Sequence, residues 1–353
     1  MDTRFEALGA YLPSTKVSTR DLVSQMKFEP LFDLQEITGI ETRRVHDKSA
    51  ASFEDSFALA MLAARDCLKR SRYRPRDLDV IISASITRYK NETRGNYTTH
   101  FEPSFALHLK RGLGAHSAIH FDVSNACAGM MTGVHLLDRM IRAGIVRNGM
   151  VVSGECITPI ADTAVKEIKE PFDSQFGSLT VGDSGAAVIL DRAENDADKI
   201  HYIELMTCAE YSKLCIGMPS LENSGPALYT NNAEMHKEER IQLWPRFHMD
   251  FLAKRGTTFA AEKYDYIVHH QVGTKAIRKF SRYASTIFGT EMPQSLVSVE
   301  ALGNTASTSH FVVLYQHLKE QKVKRGAKFL LVPAASGVVT GCLAATISSL
   351  EAA

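Results

Sequence analysis

The chain has 353 residues, 44% of them hydrophobic and 23% charged, with a formal net charge of +1 at pH 7. This is globular composition, long enough for two fused domains or one duplicated domain, and it excludes disordered and fibrous classes. So neutral a balance offers no field for a polyanion, and no basic patch interleaved with aromatics is present to bind nucleic acid.

The opening MDTRFEALGAY has no apolar run after a basic start, and no segment reaches the roughly 18 apolar residues of a membrane span. A cytoplasmic protein without a membrane span is expected. Six cysteines (Cys67, Cys127, Cys156, Cys208, Cys215 and Cys342) lie scattered without CxxC spacing, which argues against a disulfide framework or a zinc knuckle. Most are expected to be buried, inert thiols.

Short β-rich runs alternate with amphipathic helical stretches, the pattern of an α/β fold with buried sheets. A buried strand is predicted at Leu78 to Ser85. A loop region follows, then a strand from Ala118 to Val123, a turn carrying Cys127, a helix, and a strand from Met150 to Ser153. The order recurs: a strand from Tyr266 to His269, a helix from about Thr274, a turn carrying Asn304, a helix, and a strand from Phe329 to Val332. The phrases IRAGIVRNGMVV (Ile141 to Val152) and LKEQKVKRGAKFLLV (Leu318 to Val332) both run from a helix end through a basic-Gly turn into a strand.

We read this as a duplication, with halves 1–195 and 196–353 and a boundary near the polar stretch Asp191 to Asp198. From Cys127 to Val151 is 24 positions and from Asn304 to Leu330 is 26, so Cys127 and Asn304 are expected at nearly equivalent places, meeting at the interface of the halves. Coincidence between ordinary α/β units is the alternative.

Cys127 stands at a strand-to-helix corner: a strand ends near Val123, and the apolar positions Met130, Val134, Leu137 and Ile141 begin helical spacing almost at once. Unpaired N–H groups and the helix dipole at such a corner favour an anion and are expected to lower the thiol pKa. The small neighbours Ala126, Ala128 and Gly129 let a carbonyl approach, and the Cys127 N–H is a candidate oxyanion donor. An isolated cysteine at a helix start is more often a small buried hydrophobe; the surrounding phrase decides otherwise.

That phrase, DVSNACAGM, resembles the active-site segment of the β-ketoacyl-acyl-carrier-protein synthase III group within the thiolase superfamily. Three further segments match the group in order: VHHQVGTKAIRKF (Val268 to Phe280) resembles its histidine motif, LGNTASTS (Leu302 to Ser309) its asparagine motif, and AASGVVTGC (Ala334 to Cys342) its glycine-containing terminal strand and turn. With ALGAYLPS and ITGIETRRV the likeness spans essentially the whole chain. It implies a thiolase-like duplicated αβαβα layered fold and a ketosynthase-type acyltransferase. Acyl-CoA or acyl-carrier-protein thioesters would be its substrates, no cofactor would be needed, and a homodimer is expected.

Within that resemblance Cys127 takes the place of the nucleophile, His270 of the catalytic histidine and Asn304 of the asparagine. The chemistry asks for such groups, since an imidazole N–H and a carboxamide NH₂ stabilise a thioester oxyanion without competing as nucleophiles. No metal is expected: adjacent His269 and His270 point to opposite faces of a continuing strand, and there is no HExxH phrase. His269 departs from the proline usual there in primary-metabolism enzymes. Gly337 sits where the family has a glycine-rich turn against the active site, either for close backbone approach to the thioester or as an ordinary turn glycine. VGDSGAAVIL (Val181 to Leu190) is read as structural, a tight turn entering a buried strand.

Glu102, directly before Pro103 and about 25 residues ahead of Cys127, resembles the glutamate of the condensing enzymes of long-chain olefin biosynthesis and the related pyrone and dialkyl-dione synthases. There it reaches into the partner subunit's site as a base. A malonyl donor forms its carbon nucleophile by losing carbon dioxide, whereas a non-carboxylated acyl donor must lose an α-proton to a base. A solvated loop carboxylate is the competing reading of Glu102.

Lys275, Arg278, Lys279 and Arg282 have i, i+3, i+4, i+7 spacing on the helix after His270. They form a basic stripe suited to an acyl carrier protein or to coenzyme A phosphates, or simply to solvation. Competing functions are decarboxylative condensation with a malonyl-carrier-protein donor, acyl transfer to an alcohol or amine, and a catalytically silent partner subunit.

Overall fold

The computed structural model describes residues 2–49, 53–89 and 103–352. Glu102 and most of the polar stretch from Arg88 to His100 lie outside the described residues. Eleven strands matter here: β1 (Thr3–Tyr11), β2 (Val80–Ser83), β3 (Ile119–Asp122), β4 (Asn148–Glu155), β5 (Ser184–Arg192), β6 (Lys199–Thr207), β7 (Tyr266–His269), β8 (Gln294–Ser295), β9 (Ala327–Val332), β10 (Ala334–Ala335) and β11 (Val339–Ile347).

They form two sheets of the same design. The first runs β1-β5-β4-β2-β3, the second β6-β11-β9-β7-β8, with β10 pairing β11 beyond the end of β9. In each, the first two pairings are antiparallel and the last two parallel. Register repeats as well, for Ile81 pairs Met150 in one sheet and Ile267 pairs Leu330 in the other. The chain is duplicated in three dimensions.

Six helices complete the layers: α1 (Ser56–Arg70), α2 (Phe105–Leu113), α3 (Gly129–Arg142), α4 (Leu243–Lys254), α5 (Thr274–Phe288) and α6 (Ser309–Lys319). Because side chains alternate along a strand, each central strand faces two clusters. Val80, Ile82, Val151 and Val188 join the core between the sheets, whereas Ile81, Met150, Val152 and Ile189 join the outer cluster with α1 and α2. In the second sheet Phe329, Leu331 and Leu343 face the middle, and Leu330, Val332 and Cys342 face α4.

The middle layer is α3 and α6, whose Met130, Val134, Leu137, Ile141, Phe311 and Leu314 are all essentially inaccessible. Each such side chain contributes about 1.5–3 kcal/mol of burial, which holds the two halves face to face. The result is a thiolase-like αβαβα stack. Among the described residues no helix is long and apolar enough to cross a membrane. Four of the six cysteines are buried, and Cys127 and Cys215 are half-buried.

Candidate active site

Both middle-layer helices are entered by the same device. A three-residue 3-10 turn precedes α3 (Ala126–Ala128) and α6 (Ala306–Thr308), and neither helix has a side-chain cap. Each turn opens on an alanine in the left-handed region, Ala126 at φ +44° and Ala306 at φ +53°. A non-glycine residue rarely adopts that conformation, and it clusters at functional sites. The two turns pack on one another.

This geometry corrects the equivalence read from spacing. Cys127 lies two residues before α3, and the residue two before α6 is Ser307. Asn304 therefore corresponds to Ser124, three positions earlier than expected. The count misled because it was taken from Asn304 and not from the counterpart turn: the longer loop after α6 offsets its shorter helix, and Cys127 to Met150 and Ser307 to Leu330 are both 23 positions.

Cys127 borders two apolar clusters. One comprises Ala128, Ala335 and Val339; the other includes Ile160, Phe176, Leu179 and Ala306. It is half-buried where these clusters meet. Burial pushes its thiol pKa up, and neighbouring Cys215 and Glu155 add to the rise; only the hydrogen bond of its own backbone acts the other way. The lowered pKa expected from the helix start is thus overturned, since desolvation outweighs a helix terminus at this depth. Cys127 rests as a thiol.

Asn304 is held by the first half of the molecule. Its N–H donates to Thr180 O (2.9 Å), its carbonyl accepts from Gly182 N (3.0 Å), and it forms an isolated parallel bridge with Val181. Its Oδ1 accepts the Ala306 N–H at 3.0 Å, which assigns the remaining NH₂ as the available donor. The 179–181 backbone is fastened in turn by Arg43, which the sequence reading did not single out. Its guanidinium donates to Leu179 O, to Val181 O (3.5 Å) and to Thr19 Oγ1 (2.6 Å) at 1% exposure. Burial brings its pKa down to about 10. An arginine within the apolar-flanked ITGIETRRV was the available signal.

His270 follows β7, and its N–H donates to Val332 O at 3.1 Å. His310 of α6 reaches the same carbonyl through Nε2 at 2.9 Å, and its ring stacks on that of His270 with centroids 6.0 Å apart. Burial, followed by the neighbouring His310, brings the His270 pKa down to about 3, so the ring is neutral at physiological pH. Its Nδ1 is buried without a hydrogen-bond partner in the structure. Val332 also ends the strand that leads through Pro333 to Ala335, the residue packed against the Cys127 turn. Gly337 lies on the following turn at φ +99°, where an added Cβ would meet no heavy atom within 4 Å. The backbone angle, not crowding by protein atoms, is what demands glycine there.

Of the basic stripe, Lys275, Arg278 and Arg282 are exposed, but Lys279 is half-buried and its ammonium donates to His236 O at 3.2 Å. The stripe is therefore three residues wide, not four. Among the described residues, His46, Cys156 and Asp183 form the one group with metal-ligand chemistry. His46 Nδ1 contacts Asp183 Oδ2 directly at 2.7 Å, and Asp183 also accepts from Ile157 N, Thr158 N and Thr158 Oγ1. That is a hydrogen-bonded clasp in which His46 and Asp183 satisfy one another directly. Two surface clefts of about 390 and 380 Å³ lie away from Cys127, one around Asp79 and Arg147, the other beside Arg278 and Glu300.

Residues 121–208 match the family model described as 3-oxoacyl-(acyl-carrier-protein) synthase III, and residues 253–347 match the model of its C terminal, together just over half of the chain. β-Ketoacyl-(acyl-carrier-protein) synthase III of Clostridium novyi is 24% identical over 96% of this chain and 97% of its own length. The same enzyme of Alkalilimnicola ehrlichii is 27% identical over 96% and 97%. Among solved structures, a cysteine variant of Xanthomonas campestris OleA with bound lauric acid and lauroyl-CoA superposes with a TM-score of 0.81 at 20% identity, covering 98% of this chain and 99% of that one. Synthase III of Aquifex aeolicus superposes at 0.75 and 21% identity, covering 98% and 99%.

Proposed function

Because the chain belongs to the synthase III-like condensing acyltransferases of the thiolase superfamily, we propose that Cys127 accepts an acyl group from an acyl-CoA or acyl-carrier-protein thioester. The thiol proton passes to the departing thiolate, and the α-carbon of a second thioester then attacks the Cys127-bound carbonyl in a Claisen condensation that breaks the acyl C–S bond and releases the Cys127 thiolate to take up a proton. His270 and Asn304 serve as oxyanion donors. The observation that carries this reading is the pair of packed 3-10 turns, one bearing Cys127 and the other beginning two residues after Asn304, each with a strained alanine.

A neutral His270 and an Asn304 amide whose oxygen is already engaged both act as donors, which suits charge developing on a thioester oxygen. The apolar walls around Cys127 suit an alkyl chain. Lauroyl-CoA is a ligand of the Xanthomonas OleA neighbour, and a medium or long acyl donor is accordingly our choice for this chain.

For the second step we propose non-decarboxylative condensation with Glu102 as base, giving a β-keto thioester that is open to cyclisation into a pyrone or dione. Glutamate variants of the OleA neighbour have been solved, and Pro103 and α2 of this chain begin at the outer edge of the first sheet. There Asp122 of edge strand β3 accepts from Phe105 N and Ala106 N at 2.9 and 2.8 Å. The trans role of Glu102 requires a homodimer, which the resemblance implies. The full-length match to the synthase III relatives favours the second reading, a malonyl donor that loses carbon dioxide.

Intact-protein mass spectrometry after mixing with acyl-CoA tests the first step. An acyl adduct on the wild type and none on Cys127→Ala is expected; an adduct retained in the variant refutes the nucleophile. Glu102→Gln, assayed separately, is expected to acylate normally and fail to condense two acyl thioesters. Normal condensation, or a product formed only from a malonyl donor with release of carbon dioxide, refutes the base.

A further inference from the structure

Glu155 ends β4, a strand buried along all eight residues, and is itself 0% exposed. It lies where the two halves meet. Its Oε1 accepts from Ile86 N at 2.9 Å and from Ser153 Oγ at 3.0 Å; its Oε2 accepts from Thr87 N and Thr87 Oγ1, both at 3.1 Å. A fifth donor is Ser307 Oγ, which also contacts Ser153 Oγ at 2.8 Å.

Each oxygen thus receives a backbone N–H, which can only donate, an arrangement that suits a carboxylate. Ser307 is the counterpart of Cys127 in the second half and lies three residues after Asn304. The first half meets the same place from the other side, since the backbone of Gly129, just past Cys127, packs against the carbonyl of Ala84, two residues before Ile86.

We propose that Glu155 is a positioning residue of the condensing site, its carboxylate tying the turn that follows Asn304 to the strand ends on which the Cys127 turn rests. A buried carboxylate is costly without donors. Here the donors come from three separate segments, so satisfying Glu155 fixes their relative positions. The titratable groups that act on Cys127 are Cys215 and Glu155, both of which disfavour the thiolate. Burial is the first cause that disfavours the thiolate, with Cys215 and then Glu155 adding to it, and burial also pushes the Glu155 carboxyl up against the pull of its donors. The inference rests on Cys127 as the nucleophile.

Two variants of the full chain test it. Glu155→Gln removes the charge and sets an NH₂ against one of the two backbone N–H donors; the pH midpoint of Cys127 alkylation by iodoacetamide is expected to fall, with kcat for condensation lowered and KM unchanged. Ser307→Ala cuts the tie and leaves the charge. It should lower kcat about tenfold or more with an unaltered alkylation midpoint. An unshifted midpoint in Glu155→Gln, or wild-type kcat in Ser307→Ala, overturns the proposal. Alkylation is read without turnover, so a Cys127 that alkylates normally but never accepts an acyl group exposes a failed nucleophile assignment instead.

Discussion

Replacing Gly303 by alanine should damage both folding and catalysis. Gly303 has φ +68° and ψ −165°, a region that is essentially glycine-only and costs other residues about 1–3 kcal/mol. An added Cβ would lie 2.7 Å from Thr180 O, the carbonyl that accepts the Asn304 N–H. The strand segment cannot retreat from the Cβ without breaking that bond and the neighbouring one from Gly182 N, each worth about 1 kcal/mol. Strain and lost bonds together amount to about 3–5 kcal/mol, and their relief displaces Asn304. Urea unfolding should record the destabilisation, and single-turnover assays should show condensation reduced at least tenfold while acyl loading of Cys127 changes less. Stability within about 0.5 kcal/mol of wild type together with an unaltered condensation rate would refute the reasoning.

Other outcomes follow from the same structure. His248 is inaccessible, and burial brings its pKa down to about 3, against about 6.5 unfolded. Between those values the unfolded chain binds the extra proton, so stability is lost as pH falls below 6.5. His248→Phe should shrink the stability difference between pH 7.5 and 5.5 by about 1.4 kcal/mol in urea titrations; an undiminished difference contradicts the assignment. Arg43→Met should cost about 2–4 kcal/mol by stranding the Leu179 and Val181 carbonyls, and calorimetry showing a wild-type melting temperature would contradict it. Charge reversal of exposed Lys275, Arg278 and Arg282 should raise KM for an acyl-carrier-protein donor in a salt-dependent way. If KM stays fixed in low salt, this face does not dock the donor.

The periods and motifs that are local in the chain were legible in advance. Buried runs such as LDVIISAS and YDYIVHH read as strands because β-branched and apolar residues need no distant information to signal a sheet; the strands observed are Val80–Ser83 and Tyr266–His269. Met130, Val134, Leu137 and Ile141 announced a helix at the first residue after the 3-10 turn. The repetition of these phrases foretold the duplication, and four ordered motifs foretold the family. Glu102 belongs to this local layer too, read from a motif alone.

Tertiary structure decided what depends on segments far apart in sequence. Ser307, not Asn304, answers to Cys127, because the paired 3-10 turns and the strand register set the pseudo-symmetry. The Lys279 ammonium turns to His236 O because α5 packs beside that segment. Arg43 and Glu155, ordinary charged residues in the text of the sequence, become clasps, the first within the first half and the second across the halves, only when carbonyls and hydroxyls more than a hundred residues away close around them. The Cys127 thiol shows the difference most plainly. A helix start beside it is written in its neighbours and argues for a low pKa, but the direction is set by burial among elements from both halves, and that sum exists only in the folded molecule.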